Sequence, residues 1–158
     1  MKVAKREEAR DRLGREAFIT LFVVGNRFEE QLESCCRAHG ISHQQYAVLW
    51  VLCLSENPLG VPMGTLADGL LHRAADATRL VDKLNAAGLV ERLASDLDRR
   101  VVLVRPTPSG REVFAQATAD VKALHRSQFG ALSDDELAEF TRLLNTAFWS
   151  KASETDSK

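Results

Sequence analysis

Apolar side chains recur at helical spacing along most of this chain, and the clearest break in that rhythm lies between residues 89 and 105. From about Glu7 to His39, Phe18, Leu21, Gly25, Phe28, Leu32 and Cys35 follow one another at alternating steps of three and four, which predicts a helix with one apolar face. About 30 residues at 1.5 Å each make it roughly 45 Å long, more than one small domain covers. Phe22, Val23 and Val24 widen the stripe, so the pattern predicts more than one buried surface, with Gly40 as C-cap. Ser42 and Gln45 have the spacing of a capping box, and Ile41 and Tyr46 that of a hydrophobic staple. Leu49, Trp50, Leu52 and Cys53 are then expected to point inward until Asn57-Pro58 stops the helix.

Pro62 suits the first position of a short helix reaching about Leu70. After a turn at Leu71–Arg73, a helix from about Ala74 to Ala87 places Ala77, Leu80, Val81 and Leu84 on its inner side, and Gly88 ends it. Leu89–Ala94 and Val101–Arg105 read as two strands joined by the polar tip SDLDRR, a hairpin. Thr107-Pro108 opens another long helix, with Ser109 and Glu112 as its expected capping pair. Val113, Phe114, Ala117, Val121 and Leu124 form its stripe, and Gly130 breaks it. Ser133 with Glu136 is a further capping box, stapled by Leu132 and Leu137. Leu137, Phe140, Leu143, Leu144, Ala147 and Phe148 line the last helix.

The predicted fold class is mainly α with a small β-hairpin wing. Residues 41–106 form a winged helix-turn-helix, residues 1–40 and 107–150 a helical dimerisation region, and residues 151–158 a polar tail expected to be disordered. A helix-turn-helix followed by a β-ribbon is a device for reading double-stranded DNA. The flanking helices carry more apolar surface than so small a head covers, and a twofold homodimer disposes of the excess.

Charge alters how that head is expected to work. The 158 residues carry a net charge of −1. Between Pro62 and Pro106, seven Lys/Arg face six Asp/Glu, whereas from Ser133 onward three face six. The head is nearly neutral, so affinity must come from a few placed cations and from dimerisation. No apolar run approaches the roughly 20 residues of a membrane span. The start, MKVAKREEARDRLGRE, lacks the apolar core of a signal peptide, and a cytoplasmic location is expected. Three cysteines, an odd number without framework spacing, suit reduced thiols. There is no metal-ligand spacing, and no cofactor is expected. Nor is there a nucleophile–base constellation, a phosphate-cradling glycine loop or a carboxylate pair in a cleft, so the chain does not read as an enzyme.

Recognition helices present their first turn and one flank to base edges. His72, Arg73, Asp76, Thr78 and Arg79 are the polar candidates, with Arg73 foremost. Ala74 and Ala75 suit thymine methyls. Asp76 is repelled by phosphate but can accept from cytosine or orient an arginine. Arg79, Asp82 and Lys83 otherwise read as a solvated face.

The pieces SHQQYAVLWVL, LADGL, TRLVDKLNAAGLVER and DRRVVLVRPTPSGRE together resemble the MarR family of bacterial regulators, over roughly Ile41 to Arg111. The last piece matches the family's wing pattern: Asp-x-Arg, a strand, then Leu-Thr-x-x-Gly. Arg105-Pro106 stands where the pattern has its Leu. Ala74, Ala75 and Asp76 replace the Ser, Arg or Lys that many members carry at the start of the recognition helix. The resemblance implies a dimer whose two recognition helices and two wings bind a pseudo-palindromic operator, usually repressing a promoter. It makes Arg100, beside Arg99, the minor-groove arginine, with Asp98 pointing the same way on a strand and holding it.

The resemblance also implies a small aromatic or phenolic anion as signal, in a cleft that Phe18, Phe22, Arg27, His43, Tyr46 and Trp50 can line. The alternative signal is thiol oxidation at Cys35 and Cys36, with Arg37 and His39 near enough to favour thiolate. A winged-helix protein-interaction module remains a further alternative, because the head is nearly neutral.

Overall fold

The computed structural model describes residues 2–70, 74–95, 98 and 100–149. In order they form α1 (Lys2–Arg37), α2 (His43–Leu54), β1 (Val61–Pro62), α3 (Met63–Gly69), α4 (Ala74–Ala86), β2 (Val90–Ala94), β3 (Val102–Pro106), α5 (Pro108–Gln128) and α6 (Asp134–Trp149). The chain divides into two compact units, residues 1–121 and residues 122 onward.

The first unit holds a core drawn from the end of α1, from α2, α3 and α4, from the sheet and from the first part of α5. Leu49, Leu66, Leu84, Val48, Val81, Val90, Val104 and Cys36 are the largest of its fully buried side chains. Sequence periodicity selects the right face of α4, where Ala77, Leu80, Val81 and Leu84 are all buried. At Ser42 the capping box forms as expected. Its side chain accepts the Gln45 N–H at 3.1 Å, and the Gln45 side chain accepts the Ser42 N–H at 2.8 Å. Ile41 and Tyr46 on either side are buried. Gly40 and Gly88 sit at φ 74° and 70°, the left-handed conformation that closes a helix.

Several local expectations are corrected. The sheet has three strands, ordered β1-β3-β2 and antiparallel throughout, with Val61 opposite Val104 and Pro62 opposite Leu103. Pro62 therefore ends an edge strand and stands at the N-cap of α3 instead of opening that helix. An edge strand tolerates a residue without an N–H. α2 ends at Leu54, three residues before Asn57, and Asn57 instead braces the following turn by accepting the Leu59 N–H at 3.0 Å. Trp50, expected inward, is 43% exposed.

At the start of α5 the cap is Thr107, not Ser109 with Glu112. The Thr107 hydroxyl accepts the Gly110 N–H at 3.0 Å and donates to the Gly88 carbonyl at 2.7 Å. Pro108 is then the first helical residue, where its missing N–H costs nothing. α1 begins earlier than expected, and its 36 residues span about 54 Å. Residues 6–27 of it are exposed throughout.

In the second unit the Ser133–Glu136 box closes as expected, with the Ser133 N–H donating to Glu136 at 2.9 Å and the Glu136 N–H to the Ser133 hydroxyl at 3.4 Å. Phe129 and Phe140 pack at 6.5 Å between ring centroids. Phe140, Leu143, Leu144 and Phe148 are 39%, 51%, 36% and 75% exposed. None of the described helices is long and apolar enough to cross a membrane.

Candidate nucleic-acid interface

Because one face of α4 is given to the core, its polar residues divide between two flanks. At 100° per residue, Asp76, Arg79 and Lys83 fall on one flank, Thr78 and Asp82 on the other. All five are exposed. The second flank is tied to the sheet. From β2, Arg92 donates through Nη2 to Asp82 at 2.8 Å and reaches the Thr78 carbonyl at 3.5 Å. Arg92 thus couples strand to recognition helix and neutralises a carboxylate that phosphate would repel. In the sequence Arg92 stands only as one more charge, since nothing local links residues ten apart on a helix and a strand.

The hairpin tip is held by its backbone. Asp98 accepts the Arg100 N–H through Oδ1 at 2.9 Å, its carbonyl accepts the Val101 N–H at 2.9 Å, and Ser95 donates to the Val101 carbonyl at 3.0 Å. Asp98 was expected to sit on a strand and hold the Arg100 side chain. It lies instead in the turn before β3 and fixes the Arg100 amide, leaving that residue exposed. Arg100, Arg92 and Thr78 line one groove of about 430 Å³ with residues from Pro62 to Thr65 and with Val101 and Val102. Arg105 is taken up by its cross-strand partner Glu91 at 2.7 Å. Of the other predicted contacts, His72, Arg73 and Arg99 lie outside the described residues, and the side chains of Ala74 and Ala75 are likewise outside them.

The six residues assigned to a ligand cleft fall into separate groups. Tyr46 is buried, 3.2 Å from the Thr118 hydroxyl, and its ring meets Trp50 at 6.1 Å and Phe114 at 5.6 Å. Phe114, absent from the sequence assignment, completes this cluster. Phe18 and Phe22 stack on each other at 6.3 Å on exposed α1, where Arg27 is exposed as well.

His43 is engaged by carboxylates of α1. Its Nδ1 is 2.8 Å from Glu33 and its Nε2 3.4 Å from Glu29. With Asn26 and Glu30 these residues line an acidic groove of about 340 Å³, which repels a carboxylate.

Glu33 is held at a pKa of about 2. The His43 backbone N–H at 2.7 Å contributes most, followed by the Arg37 and His43 side chains, against partial burial. Its folded value lies below the unfolded one. Its stabilisation is therefore complete above about pH 4.5 and is lost as pH falls toward 2. Glu33→Gln is expected to cost about 1–2 kcal/mol at pH 7 and much less at pH 3, measured by urea denaturation at both values. An equal loss at the two would refute the assignment.

The thiol reading is corrected on the same ground. Cys36 is fully buried, and burial first, then neighbouring Cys35 and Glu33, pushes its thiol up to about 11. Cys35 is raised as well, by burial and by Asp120. The cations expected to favour thiolate are engaged elsewhere, Arg37 with Glu33 at 2.6 Å and His39 with Asp120 at 2.8 Å.

Comparison with known proteins agrees with this geometry. Residues 39–101 match the model of the MarR family. The transcriptional activatory protein BadR of Rhodopseudomonas palustris is 28% identical over 131 residues, covering 82% of this chain and 75% of BadR. The crystal structure of CouR from Rhodococcus jostii bound to p-coumaroyl-CoA superposes with a TM-score of 0.74 at 27% identity, covering 85% of this chain and 93% of CouR. A MarR variant from E. coli complexed with operator DNA does so with a TM-score of 0.75 at 27% identity, covering 86% and 93%. In its matched head, three-stranded winged sheet and helix order this chain is similar to the MarR family of winged-helix transcriptional regulators, which are not enzymes.

Proposed function

We propose that this regulator acts in the cytoplasm as a homodimer, binding a pseudo-palindromic operator and repressing the adjoining promoter until a small aromatic or phenolic ligand releases it. The observation that carries the dimer is the apolar face of α1. Phe18, Ile19, Leu21, Phe22, Val23 and Val24 are between 38% and 69% exposed within one chain, a continuous patch that soluble monomers rarely leave to water. α6 carries a second such face. Under this reading residues 1–40 and 107–150 serve dimerisation, and two heads present two copies of α4 to successive major grooves and two wings to the minor groove.

In this reading Arg73, Arg79 and Lys83 contact the operator through α4 together with His72, Ala74, Ala75 and Thr78, with Asp76 lying among them, while Arg99 and Arg100 act from the wing. CouR is bound to p-coumaroyl-CoA; here a small aromatic ligand is best received at Trp50, which is half exposed over Tyr46 and Phe114, with Phe18, Phe22 and Arg27 as further candidates.

Sedimentation of the purified chain with duplex DNA from its own upstream region tests the whole. The expected result is a dimer that binds the duplex, weakens steeply with salt and is released by an aromatic carboxylic acid. Phe22→Asp is expected to yield a monomer with little DNA affinity. A wild-type monomer at micromolar concentration would overturn the dimer.

A further inference from the structure

We propose that Gln44, Arg79 and Lys83 form one phosphate seat, on the flank of α4 turned away from the wing, and that Asp76 in the same groove holds its affinity down. The inference rests on the DNA-reading function above and adds a contact from α2, outside the helix-turn-helix and the wing.

Gln44, Asp76, Arg79, Leu80 and Lys83 line a single groove of about 370 Å³ between α2 and α4. Its four polar side chains are exposed. Gln44 lies in the first turn of α2, a turn fixed by the Ser42–Gln45 capping box, so its backbone position is set independently of any ligand. The opposite flank of α4 is already committed, with Asp82 and the Thr78 carbonyl on Arg92.

The major groove is about 12 Å wide and a helix with its side chains about 10–12 Å across. A helix that enters it has a sugar-phosphate strand along each flank. The wing and β2 stand on one side. On the other, two cations and a neutral amide donor converge from two helices, the arrangement that phosphate oxygens accept. A carboxylate among them subtracts from the same field.

The chemistry of the three groups differs in a way that salt reveals. Arg79 and Lys83 each displace a counterion when they meet phosphate, so Arg79→Ala and Lys83→Ala each flatten the plot of log K against log salt by about 0.9. Gln44 displaces none. Gln44→Ala weakens binding about two- to tenfold at every salt concentration, with an unchanged slope. Gln44→Lys tightens binding and steepens the slope by about 0.9, because its ammonium displaces a counterion that the amide does not. Asp76→Asn tightens binding as well.

Phosphate is common to every sequence, so the probe is mixed-sequence duplex DNA, titrated with the full-length chain by fluorescence anisotropy at several salt concentrations. Thermal unfolding of each variant accompanies it. The tighter binding expected of Gln44→Lys cannot arise from a damaged fold. Wild-type affinity and slope in both Gln44 variants would overturn the seat. If wild-type chain binds and Arg100→Ala weakens it while both Gln44 variants are neutral, the seat alone falls. If wild-type chain shows no salt-dependent binding, the DNA-reading function falls with it.

Discussion

Gly110→Ala is expected to destabilise the fold by about 3 kcal/mol or more, the range of severe overpacking. A Cβ at this position would lie 1.9 Å from the Leu89 carbonyl oxygen and 2.9 Å from its carbon. The obstacle is backbone, and that backbone is held. Leu89 accepts the Thr107 N–H at 3.1 Å and donates to the Leu84 carbonyl at 2.9 Å, so it joins the end of α4 to the start of α5. Thr107 fastens the same point from its side chain, through the Gly88 carbonyl and the Gly110 N–H. The Thr-x-x-Gly of the wing pattern is therefore a clamp. Threonine caps α5 and grips the helix-to-strand turn, and glycine lets the two backbones meet. Urea denaturation measures the effect as a lowered midpoint, and a wild-type midpoint for Gly110→Ala would refute the clamp.

Arg100→Ala is expected to weaken operator binding about 10- to 100-fold, the loss of about 1–3 kcal/mol that follows from removing a specific arginine contact, with the unfolding midpoint unchanged. Arg100 is exposed at the hairpin tip, and its main chain is tied by Asp98. The guanidinium can therefore be removed without disturbing the turn. Asp98 supplies a second arm. Since it holds an amide and not the guanidinium, Asp98→Asn keeps an acceptor oxygen and retains most of the affinity, whereas Asp98→Ala loosens the tip. Unchanged affinity of Arg100→Ala at fixed salt would refute the wing assignment, and a loss in Asp98→Asn as large as in Asp98→Ala would restore an ion pair.

Which features were legible in the sequence follows the range of the forces behind them. The boxes at Ser42 and Ser133 involve partners three residues apart, and both form. The inner face of α4 is a matter of period, and it is correct at four positions. Two prolines mark the boundary of this kind of reasoning. Pro108 takes the first helical position, and that alone assigns the cap to Thr107. Pro62 satisfies the same local rule, yet β3 recruits it into a strand.

Charge was less legible than period. Arg37 and His39 are sequence neighbours of Cys35 and Cys36, but Glu33 and Asp120 claim them. His43 looked like a cation for a ligand and is held between Glu29 and Glu33. A helical wheel states which flank a side chain occupies and cannot say which distant group meets it there.

Local sequence sets the succession of helices, the change to strand period at the wing, the resemblance to the MarR family, and the surplus of apolar surface on α1. These depend on contacts within a few residues or on the face an amphipathic element must hide. Tertiary structure alone decided the third strand, the Arg92 tie between wing and recognition helix, the clamp at Gly110, and the meeting of Gln44 with Arg79 and Lys83. Each of these requires segments from separate elements to meet, and ion pairs and close backbone approaches fall off within a few ångströms.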